Sequence, residues 1–306
     1  MPISISNVQA RNLLLSLQGL SESPNRRLTL DGLYDLIVRL GFVQVDSIRA
    51  VERAHHLTLL ARNTHYHPGL LQTLLEQDRR LFENWTHDAA MIPTQWYPYW
   101  QPRFTQERQR MQRSGHWQRR LGPKAQQILA RVRHQVQHNG PVMSRDFTDE
   151  RKPGGGTWWG WGPSKTALEY LWRTGELAVC QRLNFQKAYD LTERVIPPHH
   201  LTPTPSHQEY IHWACSTALQ RLGIATPGEL AAFWEAVSAV EARAWCASKV
   251  GKDIETVVVE SADGSTSWPA YARHDVAELV RAIPTAPARV RFLSPFDPVI
   301  RDRRRT

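Results

Sequence analysis

The chain has 306 residues, of which 41% are hydrophobic, so it is long enough for two or three small domains with a real core. It contains no run of eighteen apolar residues and lacks the basic start and apolar centre of a signal peptide, so we predict no membrane span and a cytoplasmic protein. The three cysteines, Cys180, Cys215 and Cys246, lie far apart in the sequence, which argues against a disulfide framework and a zinc ribbon.

The first hundred residues begin with two helical patterns. Apolar residues recur at helical spacing from Val8 to Leu20 and again from Leu30 to Leu40, where Thr29 or Asp31 begins the second helix and Gly41 ends it. Further along, Pro68 is predicted to open a helix that runs through Leu81. Residues 92–104 hold three prolines and several large aromatic side chains, which indicates a rigid boundary.

A short polar motif, Gln44-Val45-Asp46, follows the second helix. In an extended backbone Gln44 and Asp46 share one face, while Val45 points the other way into a core. A carboxylate can stabilise a nearby cation, and an amide can orient a water because it both donates and accepts hydrogen bonds. In the groove of a basic protein this pair is compatible with hydrolysis of a sugar–base bond in DNA. The alternative is a strand end with two solvated polar residues.

Positive charge is concentrated in one segment of a chain whose net charge is +9 and whose pI is about 9.8. Residues 101–135 contain a single acid, Glu107, and nine basic residues: Arg103, Arg108, Arg110, Arg113, Arg119, Arg120, Lys124, Arg131 and Arg133. A second cluster, Arg301 and Arg303 to Arg305, ends the sequence. Localised positive charge is typical of proteins that bind a phosphate backbone, although a solvated basic face has the same composition.

The middle of the chain has the element order of a winged helix. A helix over 123–138 is followed by a short helix from Ser144 to Phe147, a glycine-rich loop, a helix over 163–173, and strands over 177–183 and 187–191.

The same order returns downstream. Helices are predicted over 207–222, from Thr226 to Trp234 and over 235–250, and strands over 255–260 and 268–271 flank a hairpin turn at 262–265.

These patterns predict an α+β fold, mainly α, made of tandem winged-helix units that form a curved scaffold. We expect a first unit with the Gln44/Asp46 motif at 1–100. The basic segment and a second winged helix follow at 101–200, a third winged helix lies at 201–275, and residues 276–306 form the start of a truncated C-terminal β-rich region. Three unrelated helical segments with two hairpins are the alternative.

The landmarks of the sequence resemble those of the winged-helix DNA glycosylases of the AlkZ and YcaQ (AlkX) type. Gln44-Val45-Asp46 resembles the catalytic Gln-apolar-Gln/Asp signature of that family. The other similar segments are RAHHLTLLAR at 53–62, NWTHDAAMIP at 84–93, GTWWGWGPSK at 156–165, RLNFQKAYDLTERVIP at 182–197 and LSPFDPVIRDR at 293–303.

The resemblance implies a monofunctional DNA glycosylase that acts on cationic N7-alkylpurines and unhooks interstrand crosslinks in double-stranded DNA. It assigns catalysis to Gln44 and Asp46. The candidate DNA-binding residues are Arg53, His55, His87, Lys165, Arg182 and Asn184. We predict no cofactor and no metal ligands, no membrane partner, and a monomer that is associated with the nucleoid.

The main alternative is a non-catalytic winged-helix regulator of transcription, which would share the fold and the basic surface. The Gln44/Asp46 pair distinguishes the two, because a regulator has no reason to place it in a groove. The sequence GWGPSKT at 160–166 lacks the Gly-Lys-Ser/Thr of a phosphate loop, and the histidines lack metal-binding spacing.

Overall fold

The computed structural model describes residues 2–147 and 162–302. The fold is a mixture of α-helices and β-strands in which helices dominate, as the sequence predicted. The predicted glycine-rich loop, with its tryptophans Trp158, Trp159 and Trp161, lies almost entirely outside the described residues. In the described part, no helix is both long enough and apolar enough to cross a membrane.

The first hundred residues contain four helices and four strands. The elements are β1 (Ile3–Ile5), α1 (Asn7–Leu17), α2 (Leu30–Leu40), β2 (Val43–Gln44), α3 (Ala54–Leu60), α4 (Pro68–Gln72), a π-helical turn (Thr73–Gln77), β3 (Leu81–Trp85), β4 (Ala89–Pro93) and a 3-10 helix (Thr94–Trp100). Helix α2 begins after Thr29, whose side chain accepts a hydrogen bond from the Gly32 amide, and it ends at Gly41, as predicted.

The middle of the chain supplies the basic helices and a hairpin. The elements are α5 (Gln101–Arg113), α6 (Gly115–Leu121), α7 (Ala125–Asn139), β5 (Val142–Met143), a 3-10 helix (Ser144–Asp146), α8 (Pro163–Arg173), β6 (Leu177–Leu183), β7 (Gln186–Leu191), α9 (Thr192–Val195) and a 3-10 helix (Pro198–His200). The predicted hairpin is confirmed. Asn184 and Phe185 both have positive φ, which is the geometry of a two-residue type I′ turn.

The last third contains α10 (His207–Leu222), β8 (Ile224–Ala225), α11 (Pro227–Trp234), α12 (Ala239–Lys249), β9 (Ile254–Glu260), β10 (Ser267–Arg273), α13 (Val276–Ala282) and a 3-10 helix (Pro298–Ile300). The predicted turn at 262–265 is confirmed by a hydrogen bond from the Ser261 amide to the Thr266 carbonyl. Residues 276–302 form α13, the 3-10 helix and irregular chain, without a strand in the described part of this region.

Contacts divide the chain into two compact units. Unit 1 contains residues 1–71, 86–90 and 205–306, and unit 2 contains residues 72–85 and 91–204. In unit 1 the sheet order is β1-β9-β10-β8, and β1 runs parallel to β9. Its core cluster contains Ile5, Leu13, Val257 and Ala272. In unit 2 the sheet order is β5-β7-β6.

One order of elements recurs along the chain. A helix, a two-residue strand, further helices and a hairpin occur in the order α10-β8-α11-α12-β9-β10. The two-residue strand β8 pairs with β10, the second strand of its hairpin, and β5 pairs in the same way with β7. The sequence α7-β5-3-10-α8-β6-β7 has the same pattern. The first ninety residues repeat it from α2 to β4, so the element order fits the predicted tandem units. The division at 100, 200 and 275 stays a prediction.

Two predicted helices are wrong in their extent. The helix predicted from Pro68 to Leu81 gives way to the π-helical turn, and Leu81 already belongs to β3. The helix predicted over 235–250 begins only at Ala239, because Glu235 adopts the left-handed conformation that ends α11. Ser238 then caps α12 by accepting from the Glu241 amide, while the Glu241 carboxylate accepts from the Ser238 amide.

Candidate active site

The close packing of α2 against its neighbours in unit 1 sets where the Gln44 strand begins. Gly41 has a φ of 95°, and a Cβ atom there would lie 2.8 Å from Arg221 Nε and 3.1 Å from the Trp234 ring. Only glycine fits both the backbone conformation and the space. Phe42 and Val43 follow as fully buried residues, so the chain enters β2 with its apolar side chains anchored in the core.

Gln44 is held by two neighbours from the turn between β3 and β4. Its side chain is 5% exposed. Gln44 Oε1 accepts a hydrogen bond of 2.9 Å from His87 Nε2, and Gln44 Nε2 donates to Asp88 Oδ2 at 3.4 Å. The two contacts orient the amide, since the oxygen faces a donor and the nitrogen faces an acceptor. Each amide atom retains one further hydrogen-bonding position, on the oxygen lone pair and on the second N–H.

Asp46 lies just beyond the strand and is half-buried. Its Oδ1 atom accepts a 2.6 Å hydrogen bond from the Ile48 amide, which fixes one side of the carboxylate. Among the described residues, Asp46 forms no ion pair with an arginine or lysine. The hydrogen bond from the Ile48 amide therefore orients a carboxylate that no described arginine or lysine neutralises.

Val45 separates the two polar residues and is buried, as predicted. Its amide donates to the Ala89 carbonyl at 2.8 Å. The strand itself contains only Val43 and Gln44. Strand alternation therefore does not determine where the Asp46 side chain points, and the shared face predicted for Gln44 and Asp46 stays a prediction.

Asp88 is a site residue that sequence reasoning missed. It lies in the tight turn Thr86-His87-Asp88, where the Thr86 amide donates to the Asp88 carbonyl at 2.9 Å. Asp88 Oδ1 accepts from the Ala89 amide and Oδ2 faces Gln44. The sequence NWTHDAA does contain the polar turn that signals a hairpin, but its flanking strands are only five residues long. His87 lies against Gln44 and the Phe42 ring, and its predicted contact with DNA stays a prediction.

The other candidates in unit 1 lie on α3 or just before it. Arg53 is half-buried and immediately precedes the helix. His55 is only 2% exposed and packs its ring against His56 at 4.2 Å. His55 therefore lies in the core, where its side chain has almost no exposed surface that DNA could contact.

Of the three candidates in unit 2, two are exposed and one is hydrogen-bonded within the protein. Lys165, in the first turn of α8, and Asn184, at the tip of the hairpin, are exposed. Arg182 is bonded within the protein, because its guanidinium donates to both carboxylate oxygens of the buried Glu83 at 2.8 and 2.6 Å and to the Phe185 carbonyl. These bonds give Arg182 a structural role, and its predicted contact with the DNA backbone stays a prediction.

The basic segment forms α5, α6 and most of α7 in unit 2. Arg133 is bound to both carboxylate oxygens of Glu176, at 2.6 and 3.2 Å, and Arg110 pairs with Glu107. Arg113, Arg119 and Lys124 are exposed and make no ion pair within the described residues. These three side chains keep their charge available to a phosphate backbone.

The second predicted basic cluster is not a free surface where the structure describes it. Arg301 donates to the carbonyls of Phe233 and Ala232, at 2.6 and 2.8 Å, and so caps the end of α11. Arg303 to Arg305 lie outside the described residues. In the described part of the chain, no three histidine, cysteine, aspartate or glutamate side chains lie close enough to hold a metal ion.

Comparison with known proteins shows that the chain matches a family model and a solved structure. A family model described as "DNA glycosylase AlkZ-like" matches residues 37–306. The solved structure of the Streptomyces sahachiroi DNA glycosylase AlkZ is similar to this chain with a TM-score of 0.67 at 16% sequence identity. The alignment covers 97% of this chain and 77% of the Streptomyces protein. At that identity the structural similarity shows a shared fold.

Proposed function

The chain belongs to the AlkZ-like DNA glycosylase family, and from that membership we propose that it hydrolyses the N-glycosidic bond of cationic N7-alkylpurines in double-stranded DNA. We include purines joined in interstrand crosslinks. The observation that carries the proposal is the pairing of an oriented amide, Gln44, with an unneutralised carboxylate, Asp46, two residues later.

The substrate chemistry explains why one carboxylate suffices. A purine alkylated at N7 carries a positive charge, so it departs with the electrons of the glycosidic bond and becomes neutral without help from a general acid. Positive charge then develops on the sugar. An ionised carboxylate aimed at that sugar stabilises the transition state more than the ground state. We assign this role to Asp46, whose carboxylate forms no ion pair with any arginine or lysine in the described part of the chain.

The remaining step is attack by water at C1′. Its proton passes to a base, and we assign Asp46 this second role. We assign Gln44 the task of holding the water with its second N–H or its second oxygen lone pair. The bond from His87 prevents the amide from rotating, and a donor on Gln44 Oε1 also polarises the amide and strengthens its own N–H donors.

The test is single-turnover excision from a duplex carrying one 7-methylguanine, with alkali cleavage of the abasic site as the readout. We expect Asp46→Asn to lower the rate by about 100- to 1,000-fold, because it removes the charge and retains the shape. Asp35→Asn, an exposed aspartate on α2 of the same unit, is the matched control and should retain the wild-type rate. A second duplex with an N7–N7 interstrand crosslink tests unhooking.

If the protein is a transcription regulator, the same experiment gives a different result. Such a protein would bind undamaged duplex and release no base from either substrate. Equal rates for Asp46→Asn and Asp35→Asn would also contradict the proposal, since catalysis would then not depend on the Asp46 carboxylate.

A further inference from the structure

Two large aliphatic side chains stand in solvent immediately after the proposed catalytic aspartate. Ile48 is 69% exposed and Val51 is 86% exposed. They belong to the apolar loop, residues 47–51, whose five residues are all exposed and which has no helix or strand. Two such side chains in one short loop can gain free energy when a partner covers them, and here they lie next to a candidate catalytic residue.

The apolar loop is tied directly to the Asp46 carboxylate. The Ile48 amide donates to Asp46 Oδ1 at 2.6 Å, so the position of the loop and the orientation of the carboxylate depend on one another. Two residues span at most about 7 Å, and successive nucleotides of one strand are about 3.4 Å apart. If Asp46 approaches the sugar of the damaged nucleotide, Ile48 lies within about two base steps of it.

Positive charge flanks the aliphatic pair. Arg49 is exposed and pairs with Glu52 at 3.1 Å, and Arg53 is half-buried at the start of α3. An exposed ion pair of this kind contributes little stability, so Arg49 can exchange Glu52 for a phosphate at small cost. Aliphatic side chains next to arginine suit a surface of stacked bases bordered by phosphates, and apolar wedges are a known means of opening a base step.

We infer that the apolar loop is a wedge, with Ile48 as its main residue, that enters the DNA duplex beside the lesion and partly unstacks the neighbouring base. The inference rests on the proposed function, because it uses Asp46 to place the loop at the damaged sugar. Unstacking on one side of the nucleotide lets the sugar approach the carboxylate without complete extrusion of a bulky or crosslinked base.

The experiment reports on unstacking without requiring catalysis. The probe is a duplex in which 2-aminopurine adjoins a 7-methylguanine on a 2′-fluorinated sugar, where fluorine opposes the developing cation and prevents hydrolysis. The fluorescence of 2-aminopurine rises when it is unstacked. We expect a rise of at least threefold with saturating wild-type protein or with Ile48→Leu, and at most one third of that rise with saturating Ile48→Ser.

Val240→Ser is the matched control, because Val240 is an aliphatic residue of unit 1 that is 72% exposed on α12. It should give the wild-type fluorescence and the wild-type excision rate. On the cleavable duplex, Ile48→Ser should excise about tenfold more slowly than Val240→Ser at saturating protein. An unchanged melting temperature for both variants would show that the loop change is local.

The outcomes separate the wedge from the proposed glycosylase chemistry. If the wild type excises 7-methylguanine and Ile48→Ser matches Val240→Ser in fluorescence and rate, the wedge is overturned while the proposed function stands. If the wild type opens the base step through Ile48 but excises nothing, the proposed function fails and the wedge stands. A wild type that gives no fluorescence rise on the bound duplex overturns the wedge.

Discussion

Gln44 is a buried polar side chain whose amide is held in one orientation by its neighbours. Burial of an amide is unfavourable unless both its oxygen and its nitrogen find partners. His87 and Asp88 supply one partner each, and the three side chains form a chain of hydrogen bonds in unit 1. The amide therefore has one orientation, which is what a residue that positions a water requires.

The first prediction concerns His87. His87→Leu removes the donor to Gln44 Oε1 and should lower single-turnover excision by about tenfold, as expected for a lost positioning contact. His87→Gln restores an N–H donor at a similar distance from the backbone and should recover most of the rate. Binding to a non-hydrolysable duplex should change less than twofold in both variants. A slow His87→Gln together with a fast His87→Leu would contradict this role.

The helices of the basic segment contain arginines that are exposed to solvent and arginines that are bound by a carboxylate of the protein. The sequence alone gives all of them the same formal charge. The structure separates Arg113 and Arg119, which extend into solvent, from Arg133, whose hydrogen bonds with Glu176 raise its pKa and hold it in place. Only the first kind can exchange counterions for a phosphate at little cost.

The second prediction follows from this difference. Arg113→Ala or Arg119→Ala should each reduce the slope of log binding constant against log salt concentration by about 0.9, because one fewer counterion is released. Arg133→Ala should leave the slope unchanged and lower the free energy of unfolding by less than about 1 kcal/mol, since the pair is partly exposed. Fluorescence titrations between 50 and 200 mM salt measure the slope. If Arg113→Ala and Arg119→Ala both keep the wild-type slope, these arginines of α5 and α6 do not contact the DNA backbone.

The packing of α8 against β7 depends on a buried carboxylate. Glu169 accepts a hydrogen bond from Lys187 Nζ at 2.9 Å and another from the Tyr189 hydroxyl at 2.8 Å. Burial by itself would raise the pKa of Glu169, but attraction to Lys187 and the two hydrogen bonds outweigh it and hold the pKa below its ordinary value of 4.5. The ionised form is therefore the one that stabilises unit 2.

The third prediction is a pH dependence with a definite sign. Because the folded pKa lies below the unfolded value, the contribution of Glu169 is complete above pH 4.5 and is lost as the pH falls through the lowered folded pKa. Glu169→Gln should destabilise the protein by about 3 kcal/mol at pH 7, and the difference from wild type should shrink below about pH 4. Thermal unfolding measures it, with the exposed Glu193→Gln as the control. A difference that grows in acid would refute the assignment.

How far the sequence predicted the fold depends on the length of each element. The hairpins β6-β7 and β9-β10 were predicted to within two residues, because their strands are six or seven residues long and their turns have favoured residues. The two-residue strands β2, β5 and β8 carry no period at all. Hairpin β3-β4 was missed, and with it the turn that brings Asp88 to Gln44. Hydrogen bonds between segments more than forty residues apart leave no local pattern.

Unit 1 is closed by a contact between parts of the chain that are far apart in sequence. Arg62, at the end of one segment similar to the glycosylase family, binds Asp297, in another, and both side chains are almost completely buried. Arg62 also donates to the carbonyls of Gln18 and Thr58. Nearby in sequence, Arg291 donates to the carbonyls of Leu20, Ala61 and Glu22. The family motifs therefore include structural partners as well as candidate catalytic residues.

The last prediction tests that closure. Asp297→Asn retains the shape and leaves the Arg62 charge buried without compensation, so we expect it to lower the free energy of unfolding by about 3–5 kcal/mol. Asp275→Asn, which removes the partner of the exposed Arg273, should cost less than about 1 kcal/mol. Combining Arg62→Met with Asp297→Leu should recover part of the loss, because no charge then remains in the core, although the two carbonyls lose their donors. Urea unfolding followed by circular dichroism compares the variants. A double variant less stable than Asp297→Asn would show that the carbonyl contacts matter more than the buried charge.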